Sequence, residues 1–235
     1  MTCDFSYKHY REILKKALNK GFIISNFKNS NSKRGQKQII LRHDIDYIPY
    51  RALKIAQIEK SLGIYSTFFV RVHGEYYHPF EKKVYPIMSQ IRNMGHEIGL
   101  HTEARNLSEG FKTNIKELFL LEKNILEKIF DLKIVSAAEH GDIGKPKNFW
   151  QNEIFTILNK KEVKIKFCPS DFKDYKYISD SLGKWKEGCL CQNLDTHDKI
   201  QSLTHPDLWG EGANEELRKL IKDNPQVPEK HKKTF

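Results

Sequence analysis

Apolar positions recur with a helical period over residues 7–20, and the pattern stops at Gly21. The polar run NFKNSNSKRGQK, residues 26–37, then reads as a loop. From Gln38 onward, short apolar runs alternate with helical stretches. Gln38 to Leu41 is a strand pattern leading into Arg42-His43-Asp44-Ile45-Asp46, a helix follows from about Tyr50 to Leu62 and stops at Gly63, and TFFVRV (67–72) reads as a buried strand. The alternation continues with a helix from Val84 to Met94 closed by Gly95, a strand from His96 to Leu100, and a long helix from Ser108, as its N-cap, to about Phe130. A strand at Lys133–Ala138, a helix near Phe149–Leu158 and a strand at Val163–Phe167 come next. The chain ends with a strand at Ile200–Thr204, a helix at about Asn214–Ile221, and a Pro-interrupted basic tail that is expected to fray.

Strands alternating with helices imply parallel strands joined by right-handed crossovers, hence an α/β fold, open or closed into a barrel. A chain of 235 residues, 39% of them hydrophobic, buries about 70–75% of its unfolded surface in one unit. One domain over residues 1–224 with a flexible tail at 225–235 is the expected organisation.

The net charge of +10 favours an anionic partner. The lysines are scattered, without the stripe or aromatic interleaving of a nucleic-acid platform, so no nucleic acid is expected. The first twenty residues carry charges throughout, which excludes a secretory h-region, and no apolar run approaches the length of a membrane span. A cytoplasmic protein is expected, with peripheral membrane contact compatible with its charge. The four cysteines, Cys3, Cys168, Cys189 and Cys191, include only a C-x-C pair with no second pair for structural zinc, so free thiols are expected.

In a parallel α/β sheet, ligands bind where the loops after the strands converge. There the sequence places His43, Asp44 and Asp46 after one strand and Arg71 and His73 after the next. His101, Thr102 and Glu103 follow a third strand, Glu139, His140 and Asp142 a fourth, and His205, Pro206 and Asp207 the last. Imidazoles and carboxylates gathered on one face can bind a metal or move protons. Of Asp44 and Asp46, one could ligate a cation while the other accepts a proton from water; an Asx-turn or N-cap is the alternative. His101 could complete the metal shell, whereas His96, at the far end of its strand, is expected to be structural. Cys189 and Cys191 read as loop thiols, and His9 is assigned no role.

These residues resemble the polysaccharide deacetylases of the NodB homology type, carbohydrate esterase family 4. The matching runs are LRHDID (41–46), GHEIGLHTE (95–103), YISDSLGKW (177–185) and SLTHP (202–206), in family order over about residues 38–210. A short intracellular branch associated with surface-polysaccharide genes, with RHD-x-D, EIGLH and HP followed by Trp, here Trp209, looks most similar. The resemblance implies a distorted (β/α) barrel of fewer than eight strands. It implies Asp44 as catalytic base, Asp46 and His101 as metal ligands, His205 as general acid, and Asp180 and Trp185 lining the acceptor side or orienting His205. The chain departs from the pattern where the second motif's customary second histidine is Arg105. His140 is then the leading third ligand, with Glu103 behind it, and Arg42 or Arg105 would replace the absent arginine that buttresses the base. Arg42, Glu103, Arg105, Trp185 and Trp209 are the expected substrate-contacting set.

The activity implied is metal-dependent removal of an N-acetyl group from an amino sugar, with Zn²⁺ as the expected cation and a nucleotide- or lipid-linked sugar drawn in by the positive charge. A metal-dependent amidase acting on cyclic ureides or imides, and a catalytically silent sugar-phosphate-binding protein, remain open alternatives at this point.

Overall fold

The computed structural model describes residues 3–30, 35–141 and 154–223. Helix α1 spans Tyr7–Asn19, and the Ser6 hydroxyl caps it by accepting from the His9 N–H at 3.0 Å. The elements then run β1 (Ile23–Ser25), β2 (Gln38–Ile45), α2 (Pro49–Ser61), β3 (Thr67–Val70), α3 (Tyr85–Asn93) and β4 (Glu97–Thr102). After them come α4 (Ala104–Leu107), α5 (Ile115–Phe130), β5 (Ala137–Glu139), β6 (Lys176–Ser179), α6 (Leu190–Asn193), β7 (Lys199–Thr204) and α7 (Ala213–Asp223). No helix among the described residues is long and apolar enough to cross a membrane.

The strands form one seven-stranded sheet in the order β5-β4-β3-β2-β7-β6, every pairing parallel. β1 pairs with Gln38–Ile40 at the start of β2. Because β7 occupies the other edge of that segment, β1 and β3 share one edge of β2, with β3 taking over at Arg42. The sheet curls into a distorted (β/α) barrel of fewer than eight strands, as expected, and its ends, β5 and β6, are not paired to each other among the described residues.

The period of two along each strand divides the side chains between two environments. Ile39, Leu41 and Ile45 of β2, Phe68 and Val70 of β3, and Ile98 and Leu100 of β4 join the main core between sheet and helices. Ile40 and Phe69 point to the other side and meet Ala138, Phe27 and Phe172 in a small apolar plug. Arg42, Asp44 and His101 follow on that same inner side, nearer the carboxyl ends of the strands, so the plug forms a dry floor beneath a polar cluster.

Three local expectations differ from the structure. Ser108 does not open the long helix: residues 104–107 form the short α4, and α5 starts at Ile115 behind Asn114, whose side chain accepts from the Glu117 N–H at 2.8 Å. Both Ser108 and Asn114 are capping residue types, and the loop between them carries a positive φ of 51° at Lys112, which a continuous helix cannot accommodate. Val163–Phe167 is not a strand. Val163 and Ile165 are buried, but Phe167, half-buried, makes only an isolated bridge to Ser136, and the strand beside β7 is β6. Of the helix expected near Phe149–Leu158, residues 149–153 lie outside the described residues and Ile154–Thr156 form a 3-10 turn. The fraying expected of the basic tail also concerns residues outside those described.

Gly99, in the middle of β4, lies against the Phe69 ring. A Cβ there would sit 2.5 Å from Phe69 Cε1 and 3.1 Å from the Ser136 carbonyl oxygen. Phe69 is fully buried and packs edge-on against Phe27, so it has little room to yield. Gly99→Ala is expected to cost about 1–3 kcal/mol through overpacking, read as a lower urea midpoint with an unchanged m-value.

Candidate active site

Asp44 is the penultimate residue of β2 and points inward, opposite to its neighbour His43. Arg42, two residues earlier and therefore on the same side, grips it: Nε donates to Oδ1 at 3.1 Å and Nη2 donates to Oδ2. Both side chains are buried. Burial works against the Asp44 charge, but the Arg42 guanidinium and the His101 ring hold its pKa below the ordinary carboxylate value.

Asp46 lies just past β2 in a turn organised by Asp207. The Asp207 carboxylate accepts from the backbone N–H groups of Asp46 (3.2 Å), Tyr47 (3.3 Å) and Ile48. Burial and the Asp46 charge push Asp207 up to about 7, with the backbone donors pulling the other way. Tyr77 adds a second clamp, donating to the Ile45 carbonyl at 2.7 Å.

His101, near the end of β4, has its Nδ1 3.1 Å from the Ala138 carbonyl oxygen. A carbonyl only accepts, so this contact puts a ring proton on Nδ1, while Nε2 faces Asp44 Oδ2 and Asp46 Oδ1, each at 3.4 Å. Burial opposes charge on the ring, but these two carboxylates raise its pKa above the ordinary imidazole value. His140, past β5, has Nδ1 3.4 Å from Glu103 Oε1 and Nε2 3.8 Å from Asp46 Oδ1. The Asp46 Oδ1 atom is buried without a hydrogen-bond partner. One ligand atom each from Asp46, His101 and His140 lies within 4.8 Å of the other two.

A buried carboxylate oxygen faced by two imidazole nitrogens calls for positive charge among them, carried by protons on the rings or by a cation bound to their lone pairs. Two nitrogens and one carboxylate oxygen, with the His101 ring anchored through Nδ1 on the Ala138 carbonyl, are the donor set of a first-row divalent ion. The residues therefore fit a divalent metal.

His205 follows β7. Its backbone N–H donates to both Asp180 oxygens (2.9 and 3.0 Å), and its Nδ1 lies 2.7 Å from Asp180 Oδ1. The Trp209 indole N–H donates to Asp180 Oδ2 at 2.8 Å. Burial opposes the imidazolium, but the Asp180 hydrogen bond and charge, with those of Asp46 and Asp44, raise its pKa to about 10. His205 Nε2 stands 3.8 Å from Asp46 Oδ2, so this imidazole lies against the same carboxylate as His101 and His140.

The structure thus brings Asp44, Asp46, His101, His140, Asp180 and His205 into one cluster. It corrects other parts of the sequence reading. His43 is not on this face: the alternation turns it into the helix layer, where it meets Glu59 (2.7 Å) and Thr204. Trp209 is fully buried, so it presents no face to a sugar and holds Asp180 instead. Arg42 is engaged with Asp44 and is 1% exposed, which makes it a buttress and leaves no surface for substrate. Glu103 accepts from Arg71 Nη2 (2.7 Å) and Nε (3.1 Å) and faces His140. Despite burial, these partners hold its pKa at about 2, and it orients a ligand without reaching solvent. Trp185 is half-buried, stacked on Phe5 at 6.0 Å, and Arg105 pairs with Glu139 at 2.7 Å. His73 lies 3.6 Å from Glu122, and Asp142 falls outside the described residues. His96 is structural, as expected, with its Nε2 3.1 Å from the Ala56 carbonyl oxygen.

Sequence reasoning did not single out Glu122, which sits on α5, far along the chain from the motifs. It accepts from the Thr102 hydroxyl and from the Glu103 N–H (3.1 Å), fixing the end of β4 from the helix side. Its signal would have been a lone acid on the apolar face of an amphipathic helix.

No family model matches this chain, and no curated protein matches it. Solved structures similar to it include a variant of a carbohydrate esterase family 4 pseudoenzyme with restored activity (14% identity, 81% of this chain, TM-score 0.49). The chain spans 63% of the length of that protein. A family 4 carbohydrate esterase from Bacillus anthracis is 17% identical over 92% of this chain and 84% of its own, with a TM-score of 0.45. The chitin deacetylase of Colletotrichum lindemuthianum is 12% identical over 86% of each chain, with a TM-score of 0.46.

Burial pushes Glu122 from 4.5 up to about 7, against the pull of its two donors. The folded state therefore binds a proton that the unfolded state releases, and stability falls as pH rises from the unfolded value through about 7. The difference amounts to about 3 kcal/mol. In Glu122→Gln, whose amide can serve both neighbours without ionising, urea midpoints measured between pH 5 and pH 8 are expected to lose that decline.

Proposed function

We propose that the protein is a metal-dependent hydrolase that removes an N-acetyl group from an amino sugar. The observation carrying this reading is the convergence of Asp46 Oδ1, His101 Nε2 and His140 Nε2 with no hydrogen bond to the Asp46 atom, next to a second carboxylate, Asp44, that lies outside the trio. The runs LRHDID, GHEIGLHTE and SLTHP, which suggested a family 4 deacetylase, contribute Asp44, Asp46, His101 and His205 to this cluster.

Asp46, His101 and His140 would hold the cation, and zinc suits two imidazoles with a carboxylate. Such an ion would polarise the acyl carbonyl and acidify the attacking water, which is what allows a carboxylate held as low as Asp44 to accept its proton. Arg42 orients Asp44 through both oxygens and leaves each oxygen a further lone pair for that proton. His205 is the acid. Its Nδ1–H is committed to Asp180, so the transferable proton is on Nε2, which faces the cluster and can protonate the departing amine. Trp209 and the His205 backbone hold Asp180, and through it they fix the direction of that proton.

The net charge of +10 supports a phosphate-linked sugar as substrate, with the carrier phosphates attracted to the lysine-rich surface. The four unbridged cysteines support a cytoplasmic setting. On this reading a nucleotide-linked N-acetyl sugar is hydrolysed faster than the free sugar, and raising ionic strength narrows the difference. Equal rates on both at low and high salt would remove the phosphate part of the proposal.

Asp44→Asn is expected to lower kcat by about 10²–10⁴-fold while metal content, measured by elemental analysis, stays at the wild-type level. Asp46→Asn is expected to lose both the metal and the activity. An Asp44→Asn enzyme that deacetylates at the wild-type rate would overturn the assignment.

A further inference from the structure

The described residues contain a second group of metal-ligating side chains, which shares no member with the first. Cys3, in the segment before α1, and His9, in the first turn of that helix, meet Cys189 and Cys191 at the start of α6. The Cys3 and Cys191 sulfurs are 3.4 Å apart, and Cys189 Sγ is 3.5 Å from His9 Nε2. One ligand atom from each of the four residues lies within 4.8 Å of every other. His9, Cys189 and Cys191 are buried, Cys3 is half-buried, and the His9 Nδ1 atom is enclosed without a hydrogen-bond partner.

We propose that Cys3, His9, Cys189 and Cys191 form a tetrahedral Zn²⁺ site that fastens the segment before α1 to α6. Three thiolates and one imidazole are an established donor set for structural zinc, with metal–ligand bonds near 2.3 Å for sulfur and 2.0–2.1 Å for nitrogen. Those lengths imply ligand-to-ligand edges of about 3.5–3.8 Å. The Cys3–Cys191 and Cys189–His9 contacts, 3.4 and 3.5 Å, already approach these edges. A disulfide requires sulfurs near 2.05 Å, well inside the 3.4 Å separation of Cys3 and Cys191.

Loading transfers no electrons. Three thiols release their protons to solvent, each sulfur donates a lone pair, neutral His9 donates one from Nε2, and the centre carries a net charge of −1. Lys16, whose Nζ donates to the Cys191 carbonyl at 2.8 Å, places a positive charge beside it. The site would also steady the floor of the loop between β6 and α6. That loop carries Trp185, stacked on Phe5, which lies between Cys3 and α1 in the chain.

The test uses the full chain, stripped of metal, reduced and titrated with Co²⁺ in place of zinc. The expected result is a thiolate-to-cobalt charge-transfer band with d–d bands of tetrahedral intensity. Asp46→Asn should retain the band, Cys189→Ser should lose it, and added Zn²⁺ should bleach it. Because Asp46→Asn removes only the other centre, failure of the cysteine site and failure of the hydrolase reading give different results. Should Cys189→Ser not fold, Cys3→Ser, altered at a half-buried position near the chain terminus, supplies the same loss of signal with the far-ultraviolet circular dichroism as a control. A reduced wild-type chain without the charge-transfer band would overturn the proposal. So would a band that persists in both cysteine variants, or recovery of Cys3 and Cys191 as a disulfide whose reduction restores no cobalt binding.

Discussion

The inner end of the barrel is organised around one buried carboxylate, that of Asp46. A buried carboxylate oxygen of Asp46 faces ring nitrogens of His101, itself anchored on the Ala138 carbonyl, and of His140, which stands beside Glu103. Positive charge from the neighbouring rings or from a bound cation balances that carboxylate, and the surroundings hold these groups in place. Asp207 fixes the turn carrying Asp46, Glu122 fixes the end of β4, and Arg71 fixes Glu103. Much of the buried charge in the molecule serves this one point.

The same strand that delivers Asp44 inward delivers His43 outward. There it joins Glu59, which also accepts from Tyr10 and Ser66, in a fully buried network between sheet and helices. Residues adjacent in sequence thus belong to separate systems. One is closed and satisfied, and it ties β2 to α1 and α2. The other is left with unmatched acceptors. A sheet with a period of two permits this separation without any added backbone irregularity.

Much of this was legible in the sequence because strand ends in a parallel sheet share one side. Asp44, Asp46, His101, His140 and His205 could be nominated from strand ends and motif runs alone, and all meet. The parallel alternation was likewise readable from hydrophobic period. Burial direction was not. Trp209 looks like a sugar platform as a lone aromatic after HP, yet its indole is enclosed, and Glu103 looks like a free acid until the Arg71 fork is seen. The Val163–Phe167 run shows the limit of composition, since Val163 and Ile165, outside any strand, are buried as thoroughly as strand residues. The cysteines show another limit. The two halves of their cluster lie far apart in the chain, His9 and Cys189 by 180 positions, and neither half carries the paired spacing by which such groups announce themselves.

Arg71 spans the site in a way that reaches beyond holding Glu103. Its Nη1 donates to the Asp46 carbonyl at 3.2 Å while Nε and Nη2 engage Glu103, so one guanidinium braces the arm carrying the aspartate and the arm orienting His140. The two arms cannot drift independently: a disturbance that rotates the arginine shifts both by related amounts. Energetically they form one thermodynamic unit, in which the cost of altering either side depends on whether the other is intact.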